Sequence, residues 1–165
     1  MKYLLIVITL SLSLFACQSE PAAKQPKTAS PQTAAPTTQQ LYPSIPAAIV
    51  QNLFQECDFL DVIFNGSFKG VSMSLSQDQQ NDIRQTLSFI TTTPAQINSN
   101  CKTTGRMFFL KQGVTLLEAD FYLQDGCQYF VFFEKGKATY ANAMSQVGAN
   151  YLNQMIEKAG QVRGQ

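Results

Sequence analysis

Short glycine-bearing separators divide the second half of this chain, and they constrain its fold more than any other sequence feature. Parallel neighbours need a connection of about a dozen residues, so separators of two or three residues require antiparallel hairpins. The separators are Gln112-Gly113, Gln124-Asp125-Gly126 and Lys135-Gly136. The apolar-rich runs between them cover residues 106–111, 114–123, 127–134 and 137–140. We therefore predict a four-stranded antiparallel meander.

Helical periodicity predicts three helices around the meander. A first helix is expected from just after Pro46 to just before Asn65, because its apolar residues recur at helical spacing. A capping-box pattern at Ser76-x-x-Gln79 predicts the start of a second helix, after a short extended piece at 68–75. Ser145 can cap a third helix. The apolar positions used are Ile49, Leu53, Cys57, Leu60 and Phe64; Ile83, Leu87 and Ile90; and Tyr151, Leu152, Met155, Ile156 and Ala159.

The order of these elements predicts the fold class. Two helices, four strands and a helix follow one another along the chain. This order is typical of an α+β domain in which helices pack on one face of an antiparallel sheet. The residues Thr91-Thr92-Thr93-Pro94 are expected to end the second helix. The domain is assigned to residues 41–165, which is long enough for one core and too short for two.

The first 16 residues have the features of an export signal. Met1-Lys2 gives a positive start, and a short apolar run from Tyr3 to Leu14 follows, too short to cross a membrane. The sequence Leu14-x-Ala16-Cys17 that closes this run resembles the lipobox of bacterial lipoproteins. The resemblance implies cleavage between Ala16 and Cys17 and acylation of Cys17, with palmitate as one such acyl chain, which anchors the protein in a membrane.

The residue after the cysteine bears on which membrane holds the anchor. It is Gln18 and not Asp, which by analogy with lipoprotein sorting in Gram-negative bacteria favours the outer membrane. Residues 17–40 then form a tether, rich in Pro, Ala, Thr and Gln and without any aromatic or large aliphatic side chain. Such a segment cannot drive burial, and we predict that it is a disordered spacer.

Composition excludes several classes of function. The chain has 12 Lys and Arg against 11 Asp and Glu, so a nucleic-acid-binding surface is not expected. It has no histidine, which removes the usual general base and the commonest metal ligand. No metal site, cofactor or nucleotide motif is predicted.

Three cysteines remain if Cys17 carries lipid, so at most one intramolecular disulfide can form, in three combinations. The hairpin register places Cys101 near the sheet end where Cys127 begins the next strand. We favour Cys101–Cys127, with Cys57 as a buried thiol. A catalytic role for Cys57 is disfavoured because Glu56 and Asp58 flank it and there is no histidine to act as base.

Glu118 and Asp120 are the one carboxylate pair that suggests catalysis. They alternate with apolar residues on one strand, so both lie on the same face about 6–7 Å apart. Such a pair could serve in glycoside hydrolysis. We favour the simpler interpretation, in which both carboxylates lie on the solvated face of the sheet, with partners such as Arg106 and Lys137 on adjoining strands.

The run Tyr129-Phe130-Val131-Phe132-Phe133 is the most apolar part of the chain. Alternation sends Phe130 and Phe132 to one face and the other three residues to the opposite face. Burial in a central strand is the simpler interpretation. The alternative is a binding patch formed by Tyr122, Tyr129, Phe130, Phe132 and Tyr140.

Together these features predict a lipid-anchored lipoprotein of the cell envelope with a single α+β domain. We expect a non-enzymatic module that binds an envelope protein or supports assembly. Two alternatives remain open: a carrier of an apolar small molecule or lipid, and a hydrolase that uses Glu118 and Asp120.

Overall fold

The computed structural model describes residues 40–68 and 71–162, which form three helices and nine strands. Seven strands build one antiparallel sheet in the order β3-β2-β6-β7-β8-β9-β4, and the two shortest, β1 and β5, pair with each other. The elements are β1 Gln40–Leu41, α1 Ala47–Glu56, β2 Phe59–Phe68, β3 Val71–Gln77, α2 Gln80–Leu87, β4 Ile90–Pro94, β5 Gln96–Ile97, β6 Gly105–Lys111, β7 Val114–Gln124, β8 Cys127–Glu134, β9 Lys137–Met144 and α3 Gln146–Val162.

The predicted meander is present as β6, β7, β8 and β9. Lys111 pairs with Val114, Gln124 with Cys127 and Glu134 with Lys137, so each separator forms a tight hairpin. Gly113, Gly126 and Gly136 have positive φ angles, which glycine adopts without the steric cost that a Cβ atom brings. The glycine separators therefore predicted both the strand pairing and the register at the turns.

The sheet is wider than predicted, because it has seven strands and not four. The first predicted helix ends at Glu56, and the residues beyond it form β2, which pairs with β6. Leu60 and Phe64 are four residues apart, a spacing that fits one helix face and also one face of a strand. Val62 lies between them and is buried with them, which is the period of two that a strand requires.

The second helix also differs at both ends from the prediction. It spans Gln80–Leu87, and Ser76 does not cap it, since the Ser76 hydroxyl donates to Asp61 instead. Ile90 begins β4 and the threonines that follow extend it along β9, where helix termination was expected. The start of α1 after Pro46 and the cap of α3 by Ser145 agree with the sequence analysis, and the Ser145 hydroxyl accepts from the Gly148 amide.

All three helices contribute to a single core on one face of the sheet, which we call the helix-side core. Leu53 from α1, Ile83 and Leu87 from α2, and Ala149 and Leu152 from α3 are fully buried there. The sheet contributes residues from five strands to this core: Leu60, Val62, Phe64, Met107, Phe109, Leu117, Ala119, Phe121, Leu123, Phe130, Phe132 and Met144.

A smaller second core covers the opposite face of β8 and β9. Tyr129, Val131 and Ala141 are buried there, and the segment around β5 packs over them. Both faces of β8 are therefore covered, one by the helices and the other by the segment around β5. We call this cluster the disulfide-side core, since it also contains Cys127 and packs against Cys101.

One glycine in the sheet is required by close packing. Gly105 in β6 lies between Phe64 of β2 and Phe121 of β7 in the strand register. The two rings meet edge to face across it, with centroids 5.4 Å apart and planes at 82°. A Cβ atom at position 105 would overlap the carbonyl oxygen of Ile63 and the ring of Phe121, so only glycine fits.

We predict that Gly105→Ala lowers the free energy of unfolding by about 1–3 kcal/mol, because the added methyl group must displace backbone and a buried ring. Urea denaturation followed by circular dichroism measures the change. Thr115→Ala, at an exposed position of β7, is the control and should stay within about 0.5 kcal/mol of the unsubstituted chain. An equal effect of both substitutions would contradict this account of the packing.

Candidate functional site

The predicted lipidation site lies outside the described part of the chain. Ala16, Cys17 and the tether up to residue 39 are not among the described residues. The described chain begins with β1, whose Gln40 and Leu41 pair with Ile97 and Gln96. Among residues 40–68 and 71–162, no helix has the length and apolar character needed to span a membrane.

The carboxylates Glu118 and Asp120 share one cation, Arg106 on the neighbouring strand. The Arg106 Nε atom donates to Asp120 Oδ1 at 2.7 Å, and a second guanidinium nitrogen donates to Oδ2 at 3.2 Å. The third nitrogen lies 3.5 Å from Glu118 Oε2. The guanidinium also stacks over the Phe133 ring, 4.8 Å from its centroid. Arg106 is thus fixed by two anionic partners and one aromatic partner.

This arrangement has a clear electrostatic consequence. The hydrogen bond to Asp120, with the charges of both carboxylates, raises the pKa of Arg106 above its ordinary value. A two-pronged bond between guanidinium and carboxylate is among the stronger polar contacts in proteins. Lys137, the other expected partner, lines a groove with Glu118 but makes no ion pair within the described residues. The pair thus lies in a charge network that ties β6 to β7.

Cys57 is a buried free thiol at the C-terminal end of α1. Its Sγ donates to the carbonyl oxygen of Phe59 at 3.3 Å. Burial is the main cause that raises the pKa of Cys57, and the charge of Asp58 adds to it. A raised pKa disfavours the thiolate, which is the nucleophilic form. The environment of Cys57 is therefore that of a core residue.

The disulfide Cys101–Cys127 is present, with the two Cα atoms 6.1 Å apart. Cys101 is not on a strand; it precedes β6 and folds over the sheet end towards the start of β8. The Lys102 amide donates to the side chain of Gln124 at 3.1 Å, which holds this segment beside the turn. The bond closes a loop across the edge of the disulfide-side core.

The five aromatic residues of the predicted patch do not share one surface. Phe130 and Phe132 are buried in the helix-side core, and Tyr140 packs against the same core while half-buried. Tyr122 and Tyr129 lie on the opposite face and stack with centroids 4.4 Å apart. The run that we considered for binding is therefore divided between two cores, as its alternation predicts.

The Tyr129 hydroxyl is the one buried side-chain oxygen or nitrogen without a hydrogen-bond partner in the described residues. Burial is the main cause that raises the pKa of Tyr129, the neighbouring Tyr122 adds to it, and the nearby Asn98 backbone acts in the opposite direction. The stacked Tyr122, by contrast, has a partner, because its hydroxyl accepts from the Thr103 hydroxyl at 3.1 Å.

Two open grooves mark the surface of the domain. The larger, of about 860 Å³, lies at the turn end of the sheet and has Leu116, Glu118, Glu134, Lys135 and Lys137 in its lining. It lies beside two β-bulges, one in β7 and one in β9, where the strand register shifts. Bulges redirect side chains and are common next to functional sites.

The smaller groove, of about 510 Å³, is mostly apolar. It lies between α1 and β4, with Ile45, Val50, Phe54 and Ile90 as its apolar lining. Asn142 also lines it, and this buried side chain accepts from the Ile45 amide at 2.8 Å and donates to the Thr91 carbonyl at 2.8 Å. Neither groove was expected from the sequence, since each combines residues from distant segments.

Comparison of this chain with protein-family models, with curated protein sequences and with solved structures finds no significant match. An assignment of function therefore rests on the sequence of this chain and on the geometry of its described residues.

We predict that reduction of Cys101–Cys127 destabilises the domain by roughly 3–4 kcal/mol, the loop-closure entropy expected for a sequence separation of 26 residues. Denaturation with and without reductant measures this difference. In the double variant Cys101→Ala/Cys127→Ala, reductant should have no effect on stability. If reductant still lowers the stability of the double variant, the loss of stability does not come from the Cys101–Cys127 bond.

We also predict that Arg106→Met lowers the free energy of unfolding by about 1–2 kcal/mol, because it leaves two carboxylates without their shared cation. Lys111→Met is the matched control on the same strand. Its ion pair with Glu56 is exposed on both sides, so the loss should not exceed about 0.5 kcal/mol. Urea denaturation at low and high salt compares the two variants. Equal losses would show that the Arg106 network adds nothing beyond a surface ion pair.

Proposed function

We propose that this chain is a lipid-anchored protein of the cell envelope whose domain binds other proteins and does not catalyse a reaction. The single observation that carries the cell-envelope location is the disulfide Cys101–Cys127, in a domain that follows the export signal predicted from the sequence. Disulfides of this kind form and persist in oxidising compartments outside the cytoplasm. The Leu14-x-Ala16-Cys17 sequence supports the lipid anchor through its resemblance to the lipobox.

A binding role is supported by how the reactive side chains are engaged. Glu118 and Asp120 hold Arg106, and Cys57 is buried with a raised pKa. These groups contribute to structure through contacts that a catalytic role would have to break. Within the described residues the surface includes the two grooves and an edge strand, β3, with no strand paired to its outer side, which are features that suit association.

The apolar groove between α1 and β4 supports a second candidate, a carrier of an apolar small molecule. Its volume of about 510 Å³ and its lining by Ile45, Val50, Phe54 and Ile90 are within the range for small-ligand sites. The groove is partly open to solvent, whereas carriers of apolar ligands enclose most of the ligand surface. Protein binding is therefore the better-supported function.

The hydrolase alternative has less support. Glu118 lines the larger groove but Asp120 does not, and Arg106 holds both carboxylates. For an acid and a nucleophile to act on one substrate bond, both carboxyl groups must face it.

We expect Cys17→Ser to release the protein from membranes into the soluble fraction, because the acyl chains provide the anchor. Fractionation of cells that express the full chain measures this release. Gln18→Asp is the matched control at the adjacent residue, since it keeps the acylated cysteine. By the sorting analogy it should stay in membranes and move from the outer to the inner membrane of a Gram-negative host.

Crosslinking of the same strains separates the binding and carrier functions. An adaptor yields a reproducible envelope protein that is lost with Cys17→Ser. A carrier yields co-purified lipid or small molecules and no consistent protein partner. Continued sedimentation of Cys17→Ser with membranes in detergent-free buffer would contradict the anchor.

A further inference from the structure

The two edges of the seven-stranded sheet differ in how well they are blocked. The edge strand β4 has a register shift between Ile90 and Pro94, and the Ser44 hydroxyl donates to its Thr92 carbonyl at 3.0 Å. Bulges, proline and covering chain are the means by which proteins prevent edge-to-edge pairing. The β4 edge is therefore protected.

The opposite edge strand, β3, also has a register shift, between Val71 and Met73, but it pairs with β2 in an unbroken register from Met73 to Gln77. Residues 71–77 read Val-Ser-Met-Ser-Leu-Ser-Gln, with no charge and no proline. β3 pairs with β2 on one side, and no described residue makes a backbone hydrogen bond to its other side. Among the described residues its outer amide and carbonyl groups therefore have no partner, and a strand from another chain can pair with groups of this kind.

The sequence of β3 is close to symmetric about its middle residue, Ser74. Serine alternates with an apolar residue on both sides of this position. In an antiparallel pair of two such strands centred on Ser74, each Ser74 lies opposite the other, and Met73 lies opposite Leu75 of the second copy. A two-fold interface requires such a match of a surface with itself.

The burial of the side chains of β3 agrees with a pairing of this strand with a second copy of itself. Met73 and Leu75 pack against the helix-side core but stay half-buried at its margin, while Ser74 and Ser76 are exposed on the other face. A second β3 would cover the apolar pair with another apolar pair. Because the strand carries no charge, the pairing places no like charges opposite each other, which would otherwise oppose self-association.

We propose that β3 is a self-association edge, and that two copies of this chain join their sheets by antiparallel β3–β3 pairing centred on Ser74. A contact through one short strand buries less than the roughly 1,200 Å² at the low end for stable complexes. The pairing is therefore weak in dilute solution and increases where copies are concentrated together. Concentration at a membrane rests on the proposed lipid anchor, whereas the pairing geometry does not.

Cysteine crosslinking tests the proposed register. In this arrangement the two Ser74 Cα atoms are about 4.5–5.5 Å apart, within the roughly 4.4–6.8 Å range of disulfides. The two Ser76 positions are displaced by four residues, about 13–14 Å. We expect Ser74→Cys to form at least ten-fold more covalent dimer than Ser76→Cys on mild oxidation of the full chain. Both variants keep the native cysteines, so any background crosslink is common to both.

Several outcomes would overturn the proposal. Equal crosslinking of the two variants would indicate random collision, and absence of dimer in a folded Ser74→Cys chain would exclude the register. Crosslinking of Ser74→Cys to a different protein, without a self-crosslink, would assign the edge to a partner strand. Each variant is checked for the native circular dichroism spectrum, so that misfolding is not mistaken for loss of pairing.

A charge exchange at the same position provides a second test that needs no cysteine. Ser74→Lys and Ser74→Glu should each reduce self-association at least ten-fold, since like charges then lie opposite each other. An equimolar mixture should restore it, as measured by analytical ultracentrifugation at high protein concentration. Failure of the mixture to restore association would overturn the two-fold arrangement.

The proposed lipid anchor and the proposed β3–β3 pairing can be tested independently of each other. Both crosslinking variants are therefore also examined in the Cys17→Ser background at high protein concentration. A Ser74→Cys dimer that forms there supports the pairing whether or not the unsubstituted chain fractionates with membranes. Membrane association without any such dimer supports the anchor and overturns the pairing.

Discussion

Strand β8 is buried on both faces, and the rest of the domain is arranged to cover it. Phe130 and Phe132 point into the helix-side core while Tyr129 and Val131 point into the disulfide-side core. A strand with large apolar side chains on both faces is stable in water only if each face is shielded. Three helices shield one face, and the other is shielded by irregular chain that the Cys101–Cys127 bond holds in place.

Local sequence predicted the parts of this arrangement that depend on local interactions. The hairpins were predicted because their turns are set by adjacent residues, such as Gly113 and Gly136 at positive φ. β2 was misread because Leu60 and Phe64 fit either period, and its pairing with β6 joins residues more than 40 positions apart. Such a long-range pairing depends on packing across the whole sheet, and a local sequence pattern does not predict it.

In the candidate site, too, some features were predicted from local sequence and others were not. Arg106 was named as a partner of Glu118 and Asp120 because it lies on the adjoining strand. The turn alone would place Arg106 opposite Ala119, and the bulge in β7 shifts the register by one residue so that Arg106 pairs with Asp120. The division of the aromatic run between two faces also followed from alternation. The apolar groove was missed because α1 and β4 form it jointly through Asn142, whose buried amide holds Ile45 and Thr91. A single asparagine in a strand gives no signal of that role.

The path of the chain into the domain links the disulfide-side core to the proposed anchor. Tyr42 packs on the disulfide-side core and Ile45 is buried in the helix-side core, so this segment passes from one face of the sheet to the other. The Ala141 amide of β9 donates to the Pro43 carbonyl, and the Ile45 amide donates to Asn142.

β1 pairs with β5, so these bonds join the segment 40–45 to both β5 and β9. β5 lies just before Cys101 in the chain, so the disulfide that closes the disulfide-side core also holds the segment that pairs with β1. The β3 edge is at the far side of the sheet from β9 and β4, with four strands between β3 and β9. The β3 edge therefore lies away from the segment 40–45, which is bonded to β5 and β9.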